Sequence, residues 1–200
     1  MNLKYDGNEI EVADDRVLTL IGSINTSSAR AIINGMKRMA AQNSPLALVI
    51  NSSGGDTEQV LAIADAQRMW RLKLVTIGMG TVYSAALFLL QIGDIRLATR
   101  NAELMLHRGT LDSKERDPDD HEAFLRICRE RDRKFLRLLS ARSHQSKGKI
   151  AQDWLSDCYY TPRQAFNYGL IDGIIQLQKR RPMILTLSAR SKPSKRSTRS

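Results

Sequence analysis

Three short stretches of the chain combine reactive side chains with backbone able to lie close to a substrate. Gly54-Gly55 follow an apolar run at a strand-to-helix turn, and two residues without Cβ let main-chain amides point into a cleft. In Gly80-Thr81-Val82-Tyr83-Ser84 a serine opens an otherwise apolar helix. Such a serine has the positive end of the helix dipole beside it and free amides after it, a setting that suits an oxyanion. His107 closes the apolar strand Leu104-Met105-Leu106. Taken singly, two of them have plainer readings: Ser84 as a helix N-cap, His107 as a structural histidine at a strand end.

Other chemistries find little support. No G-x-S-x-G elbow exists, which excludes the α/β-hydrolase arrangement. Ser146-Lys147-Gly148-Lys149 fits S-x-x-K but lies at a Lys-rich helix start without companion motifs, so the match is read as chance. His121 and His144 stand in polar, charged segments without metal spacing and are read as surface residues. Cys128 and Cys158 form no CxxC pattern, and a reducing cytoplasm is the compartment expected. No metal and no organic cofactor is expected.

The elements that must position these residues alternate short apolar runs with helix-period segments from Val17 to Leu177, as parallel strands with crossover helices do. Val17–Gly22, Leu46–Ile50 and Leu74–Ile77 read as strands, the second ending in Asn51-Ser52-Ser53-Gly54-Gly55. Between them, Ala29, Ile32, Ile33, Met36, Met39 and Ala40 share one helix face after a Thr26-Ser27 cap. Val60, Leu61, Ile63, Ala64 and Met69 mark a second helix. Gly78-Met79-Gly80 leads into the apolar helix Ser84–Ile92, followed by short strands at Ile95–Ala98 and Glu103–Leu106. Phe124, Ile127, Cys128, Phe135, Leu138 and Leu139 give a long charged helix over about Asp119–Arg142, and Ile150, Trp154 and Leu155 a shorter one. Thr161-Pro162-Arg163-Gln164 is a helix start with a cap and Pro at the first position, Gly169 its stop, and Leu170–Leu177 the last strand.

Two hundred residues, 42% hydrophobic and 26% charged, suffice for one domain with its own core. The longest apolar run, Ala85–Leu90, is far short of the roughly 18 residues of a membrane span, and the first residues lack the apolar stretch of a secretory signal. Eight of the ten net positive charges fall on Lys179, Arg180, Arg181, Arg190, Lys192, Lys195, Arg196 and Arg199, in a stretch without a single acid; the rest carries +2. The expected organisation is an N-terminal segment over 1–16, a domain over 17–178 and a basic, disordered tail over 179–200, with Met183–Leu187 as a candidate docking strand. A nucleic-acid partner is expected only through the tail, since no aromatic interleaving supports base stacking.

Together these stretches resemble one family, the proteolytic subunit of the Clp protease: serine peptidases on an α/β, crotonase-type ββα spiral with a long handle helix. Leu46–Gly55 is similar to the family's strand ending in I-N-S-P-G-G. Thr76–Leu90 resembles its G-x-A-A-S-M-G-A-F-L-L block, which assigns the nucleophile to Ser84, and Leu104–His107 resembles I-M-I-H, which assigns the general base to His107. Asp157-Cys158-Tyr159-Tyr160-Thr161-Pro162 with Ala165 and Tyr168–Asp172 is similar to D-x-F-[ML]-[ST]-x-x-E-A-x-x-Y-G-L-[IV]-D, which carries the triad aspartate to Asp157. The amides of Gly55 and Ala85 correspond to the family's oxyanion donors.

The resemblance implies a serine endopeptidase acting on unfolded polypeptides or short peptides inside heptameric rings, single or double, with an AAA+ ATPase unfoldase as partner. Departures are local. Ser53 replaces the usual proline, and Asp56 puts a carboxylate after the glycines. Arg108–Pro118 is charged and glycine-poor where the family has Q-P and a glycine-rich strand. Ser156 replaces an arginine, and residues before Val17 do not resemble the axial loop. The alternatives are a phage-type maturation peptidase, a non-catalytic ring subunit, an acyl-CoA enzyme of the crotonase fold and a nucleic-acid-binding protein.

Overall fold

In the computed structural model, which describes residues 1–109 and 118–176, the chain opens with a hairpin. Strands β1 (Asn2–Tyr5) and β2 (Asn8–Glu11) pair antiparallel across Asp6-Gly7. Both turn residues have positive φ, 39° and 80°, the twist that a two-residue hairpin turn needs. One 3-10 turn at Asp14–Arg16 then feeds β3 (Val17–Ile21). The remaining order is α1 (Thr26–Met39), β4 (Leu46–Ser52), α2 (Thr57–Met69), β5 (Leu74–Tyr83), α3 (Ala85–Gln91), β6 (Ile95–Ala98), β7 (Glu103–Leu106), α4 (Pro118–Arg142), α5 (Lys147–Asp153), β8 (Cys158–Tyr160), α6 (Pro162–Tyr168) and β9 (Gly173–Ile174).

The main sheet runs β3-β4-β5-β6-β9, all parallel, and β7 joins it alongside β5 with β8 antiparallel on its outer side. Strand alternation sorts side chains to the two faces. Leu46, Leu48, Ile50 and Leu74 belong to the large core beneath the helices, with Met36, Ile63, Leu87 and Phe135. Ala47, Val75, Ile77 and Leu97 face the other way, where Leu3 and Val12 of the hairpin region cover them together with Ile175. The residues before Val17 thus close the second face of the sheet.

Several elements differ from the sequence expectation. α1 is capped by Asn25, not Thr26-Ser27: the Asn25 side chain accepts from the Ser28 amide and the Ser28 hydroxyl accepts from the Asn25 amide. The third strand does not stop before Gly78 but runs on to Tyr83. Its first half pairs with β6 and its second half with β7, and Gly80, at φ 64°, lies between them. There Asn51 Oδ1 accepts from the Thr81 amide at 3.2 Å, and the register of β4 on β5 shifts between Ile50 and Ser52. Trp154 is the C-cap of α5, and Leu155 lies beyond it with 72% of its surface exposed. The last strand is confined to Gly173–Ile174, with a bridge from Ile175 to Tyr5. Ser146, the serine of the S-x-x-K match, caps α5 by accepting from the Lys149 amide. The candidate docking strand Met183–Leu187 and the rest of the tail lie outside the described residues. No helix among the described residues is long and apolar enough to cross a membrane.

Two buried arginines tie the frame together. Arg16 donates to the carbonyls of Met39, Gln42, Ser44 and Pro45, tethering the end of α1 and the loop after it to the foot of β3. Arg96 of β6 donates from Nε to Asp172 Oδ2 at 3.0 Å and from Nη1 to Gln91 Oε1 and the Gly169 carbonyl. That links the end of α3 to the α6–β9 corner.

Candidate active site

Ser84 sits between β5 and α3 with φ 56° and ψ −124°, a conformation that costs a residue with a Cβ of order 1–3 kcal/mol. Neighbouring backbone holds it there. Its amide donates to the Met105 carbonyl at 3.0 Å, and its carbonyl accepts from the Leu87 amide at 2.9 Å. Its hydroxyl makes no capping bond to α3; Oγ lies 2.7 Å from His107 Nε2. With the imidazole proton on Nδ1, Ser84 donates to Nε2.

β-sheet register brings the third residue in. β7 and β8 pair Leu104 with Tyr160, Met105 with Tyr159 and Leu106 with Cys158, so His107 and Asp157 face each other one step past the ladder. Asp157 Oδ1 is 3.5 Å from His107 Nδ1. The Arg108 amide donates to the Trp154 carbonyl at 2.9 Å, a second tie between the two segments. The carboxylate of Asp157 is 62% exposed, whereas His107 is 22% exposed.

The glycine turn approaches from β4. A parallel bridge to Ile24 uses the Gly54 carbonyl, which accepts from the Ile24 amide, and the Asp56 amide, which donates to the Ile24 carbonyl. The Gly55 N–H between them has no acceptor among the described residues, and neither has that of Ala85, the first residue of α3. Only glycine fits this turn. Gly55 has φ 137° and a Cβ there would collide with the Ile24 carbonyl, while one on Gly54 would lie 2.9 Å from Ser84 Cβ. Asp56 lines the cavity beside the glycines and caps α2, its carboxylate accepting from the Glu58 amide at 2.8 Å.

Gly55, Ser84 and His107 line one cavity of about 490 Å³. Part of its wall is aromatic: Phe88 stacks on Phe135 at 4.1 Å and lies 5.4 Å from Trp154. α4 contributes Arg131 and Asp132; Arg131 donates to Glu58 at 3.0 Å and Asp132 pairs with Arg108 at 3.4 Å. Sequence reasoning took Phe88, Phe135 and Trp154 as helix core only. For Phe88 a signal existed, since it stands one helical turn after Ser84. Asp132 had none. No cluster of His, Cys, Asp and Glu able to hold a metal occurs among the described residues.

A mostly parallel sheet that delivers a strained serine to an imidazole, beside unpaired amides, has the make-up of a serine hydrolase. Comparison with known proteins narrows the class. The model of the Clp protease family matches residues 7–178. The ATP-dependent Clp protease proteolytic subunit of Ligilactobacillus salivarius (strain UCC118) is 32% identical over 170 residues, 83% of this chain and 86% of that protein. The ATP-dependent Clp protease proteolytic subunit 3 of Parasynechococcus marenigrum (strain WH8102) is 32% identical over 165 residues, 80% and 82% of the two chains. The chain belongs to the Clp protease family and is a serine-type Clp peptidase.

Proposed function

We propose that this peptidase is an endopeptidase that cleaves unfolded polypeptides and short peptides with Ser84 as nucleophile, His107 as general base and Asp157 as the group orienting the imidazole. The single observation carrying this reading is the 2.7 Å approach of Ser84 Oγ to His107 Nε2. His107 takes the hydroxyl proton as Oγ adds to the scissile carbonyl carbon, and the carbonyl oxygen becomes an oxyanion facing the Gly55 and Ala85 N–H groups. Collapse expels the amine, which receives the proton from His107 and leaves Ser84 acylated. Water, deprotonated by the same imidazole, releases the acid and restores the serine. Asp157 favours the tautomer with hydrogen on Nδ1 and stabilises the imidazolium that forms.

We assign residues 17–178 to the peptidase domain, 1–16 to an N-terminal segment and 179–200 to a basic tail. The working assembly in this reading is a homo-oligomeric ring that encloses the sites, served by an AAA+ ATPase. Both relatives are named as subunits of ATP-dependent proteases, which supports it. Two unpaired cysteines suit a reducing cytoplasm.

The test is labelling with a serine-reactive fluorophosphonate, with the modified peptide mapped by mass spectrometry. Label on Ser84, and loss of both label and peptide hydrolysis in Ser84→Ala, is the expected result. Wild-type turnover in Ser84→Ala would overturn the assignment.

A further inference from the structure

Beside the catalytic cavity lies a second, smaller recess of about 260 Å³. The two share Asp132 and Trp154 as walls. Arg129 and Arg133, one helical turn apart on α4, line the recess together with Arg108, with Leu136 and Leu155 as apolar wall. Of these charges only Arg108 and Asp132 are paired, Nε to Oδ2 at 3.4 Å; Arg129 and Arg133 have no acidic partner among the described residues. Three guanidinium groups against one carboxylate leave the recess two positive charges in excess.

Trp154 supplies an independent sign. It is 4% exposed, and its Nε1–H is the buried side-chain polar atom without a hydrogen-bond partner among the described residues. A buried donor left unpaired is costly, and a small shift of the indole, which walls both cavities, would offer it to an oxygen of the bound chain. Planar guanidinium groups favour carboxylates as partners. The volume falls below the roughly 300–1,000 Å³ of sites for whole small molecules and suits a single side chain.

We propose that this recess is a subsite for an acidic side chain of the polypeptide lying in the catalytic cavity, so that cleavage favours substrates with Glu or Asp close to the scissile bond. The inference rests on the peptidase reading of the neighbouring site. The ligand is the side chain of a substrate residue, not the free carboxylate of a peptide end, because a recess opening beside the cleft is reached by a chain threaded through it.

The test uses the full-length protein and fluorogenic peptides with amidated C-termini, in which Glu or Gln is moved through the three positions on each side of the cleaved bond. At one position the Glu peptide should exceed its Gln counterpart in kcat/KM by about threefold to tenfold, the size expected for partly exposed charge pairs. In Arg129→Gln/Arg133→Gln that ratio should fall to about one, and Trp154→Phe should lower it while keeping an aromatic wall. A ratio near one at every position in the wild type, or one that survives the double substitution, would overturn the proposal. Fluorescence anisotropy of the same labelled peptides on Ser84→Ala reads the preference without hydrolysis. Fluorophosphonate labelling without any charge preference removes the subsite alone. A binding preference for Glu without labelling keeps the subsite and removes the peptidase assignment.

Discussion

The backbone of Ser84 is held where a residue with a side chain is disfavoured, and the neighbours holding it also aim Oγ at His107. Ser84→Ala keeps that strain and Ser84→Gly relieves it. Both should be inactive, yet the glycine variant should be the more stable by about 1 kcal/mol, read from thermal unfolding of the two proteins. Equal stabilities would show that the conformation is unstrained. Asp157 acts at longer range, 3.5 Å from Nδ1 and open to water on one side. Asp157→Asn should lower kcat by between about 10² and 10⁴ while KM changes little, the outcome the proposed orienting role requires. Activity near wild type would leave the imidazole oriented by something else. Ser84 and His107 stand out in the sequence because one opens an apolar helix and the other closes an apolar strand, and the family resemblance gave them their roles. Asp157 precedes a strand of three residues, too short for any periodicity, and came into view only through the resemblance of Asp157–Pro162, Ala165 and Tyr168–Asp172 to the family's block. Trp154 and Asp132 were not legible as walls of a cavity. Their place there depends on how α4 packs against α3 and α5, which no local pattern encodes.

Among the elements, the start and stop of α6 were read well, whereas the cap of α1 lies one residue before the expected Thr26-Ser27. Thr161, Pro162 and Gln164 form the expected capping box, and Gly169 ends α6 at φ 89°. The continuation of β5 to Tyr83 was missed because Gly78-Met79-Gly80 looks like a turn until Asn51 of the neighbouring strand stitches it. The hairpin was missed for another reason: Leu3 and Val12 are buried only by side chains of the finished sheet. The tie between Arg96 and Asp172 offers a test of how α3 is anchored. Burial alone would raise the Asp172 carboxyl, but hydrogen bonds from the Arg96 side chain and amide, with the charges of Arg96 and Arg142, hold it below the ordinary range. A carboxyl with a folded pKa below its unfolded value stabilises the fold above that unfolded value, about 3.9, and the contribution fades as pH falls through the folded value. Asp172→Asn should therefore cost about 1–2 kcal/mol at pH 7, at the low end for a buried pair because the carboxylate is 37% exposed. The Tm gap to wild type should close below about pH 4. A gap that stays constant into acid would assign the loss to packing instead of charge.

At the scale of the whole molecule, charge and assembly can be separated by one truncation. Residues 1–178 carry a net charge of only +2, and the eight basic residues beyond Leu177 lie after every residue of the proposed site and, all of them, after the end of the family match at residue 178. A ring built from the domain alone should thus survive their removal. Sedimentation of the full chain at micromolar concentration should show a closed oligomer, the expected form for a chamber with cyclic symmetry. The protein ending at Leu177 should sediment as the same oligomer with its mass reduced, and should hydrolyse short peptides at the wild-type rate. What should change is adhesion to polyanions. The full chain should bind a nucleic acid with an affinity that falls steeply as salt rises, because each neutralised phosphate releases counterions, and the truncated chain should bind weakly at any salt. Monomers from the truncated chain, or loss of peptide cleavage with Ser84 still reactive, would place the tail in the ring contact itself. Met183–Leu187, the one apolar run in the tail, would then be the segment to alter first, with polar substitutions at Ile184 and Leu187 expected to reproduce the truncation.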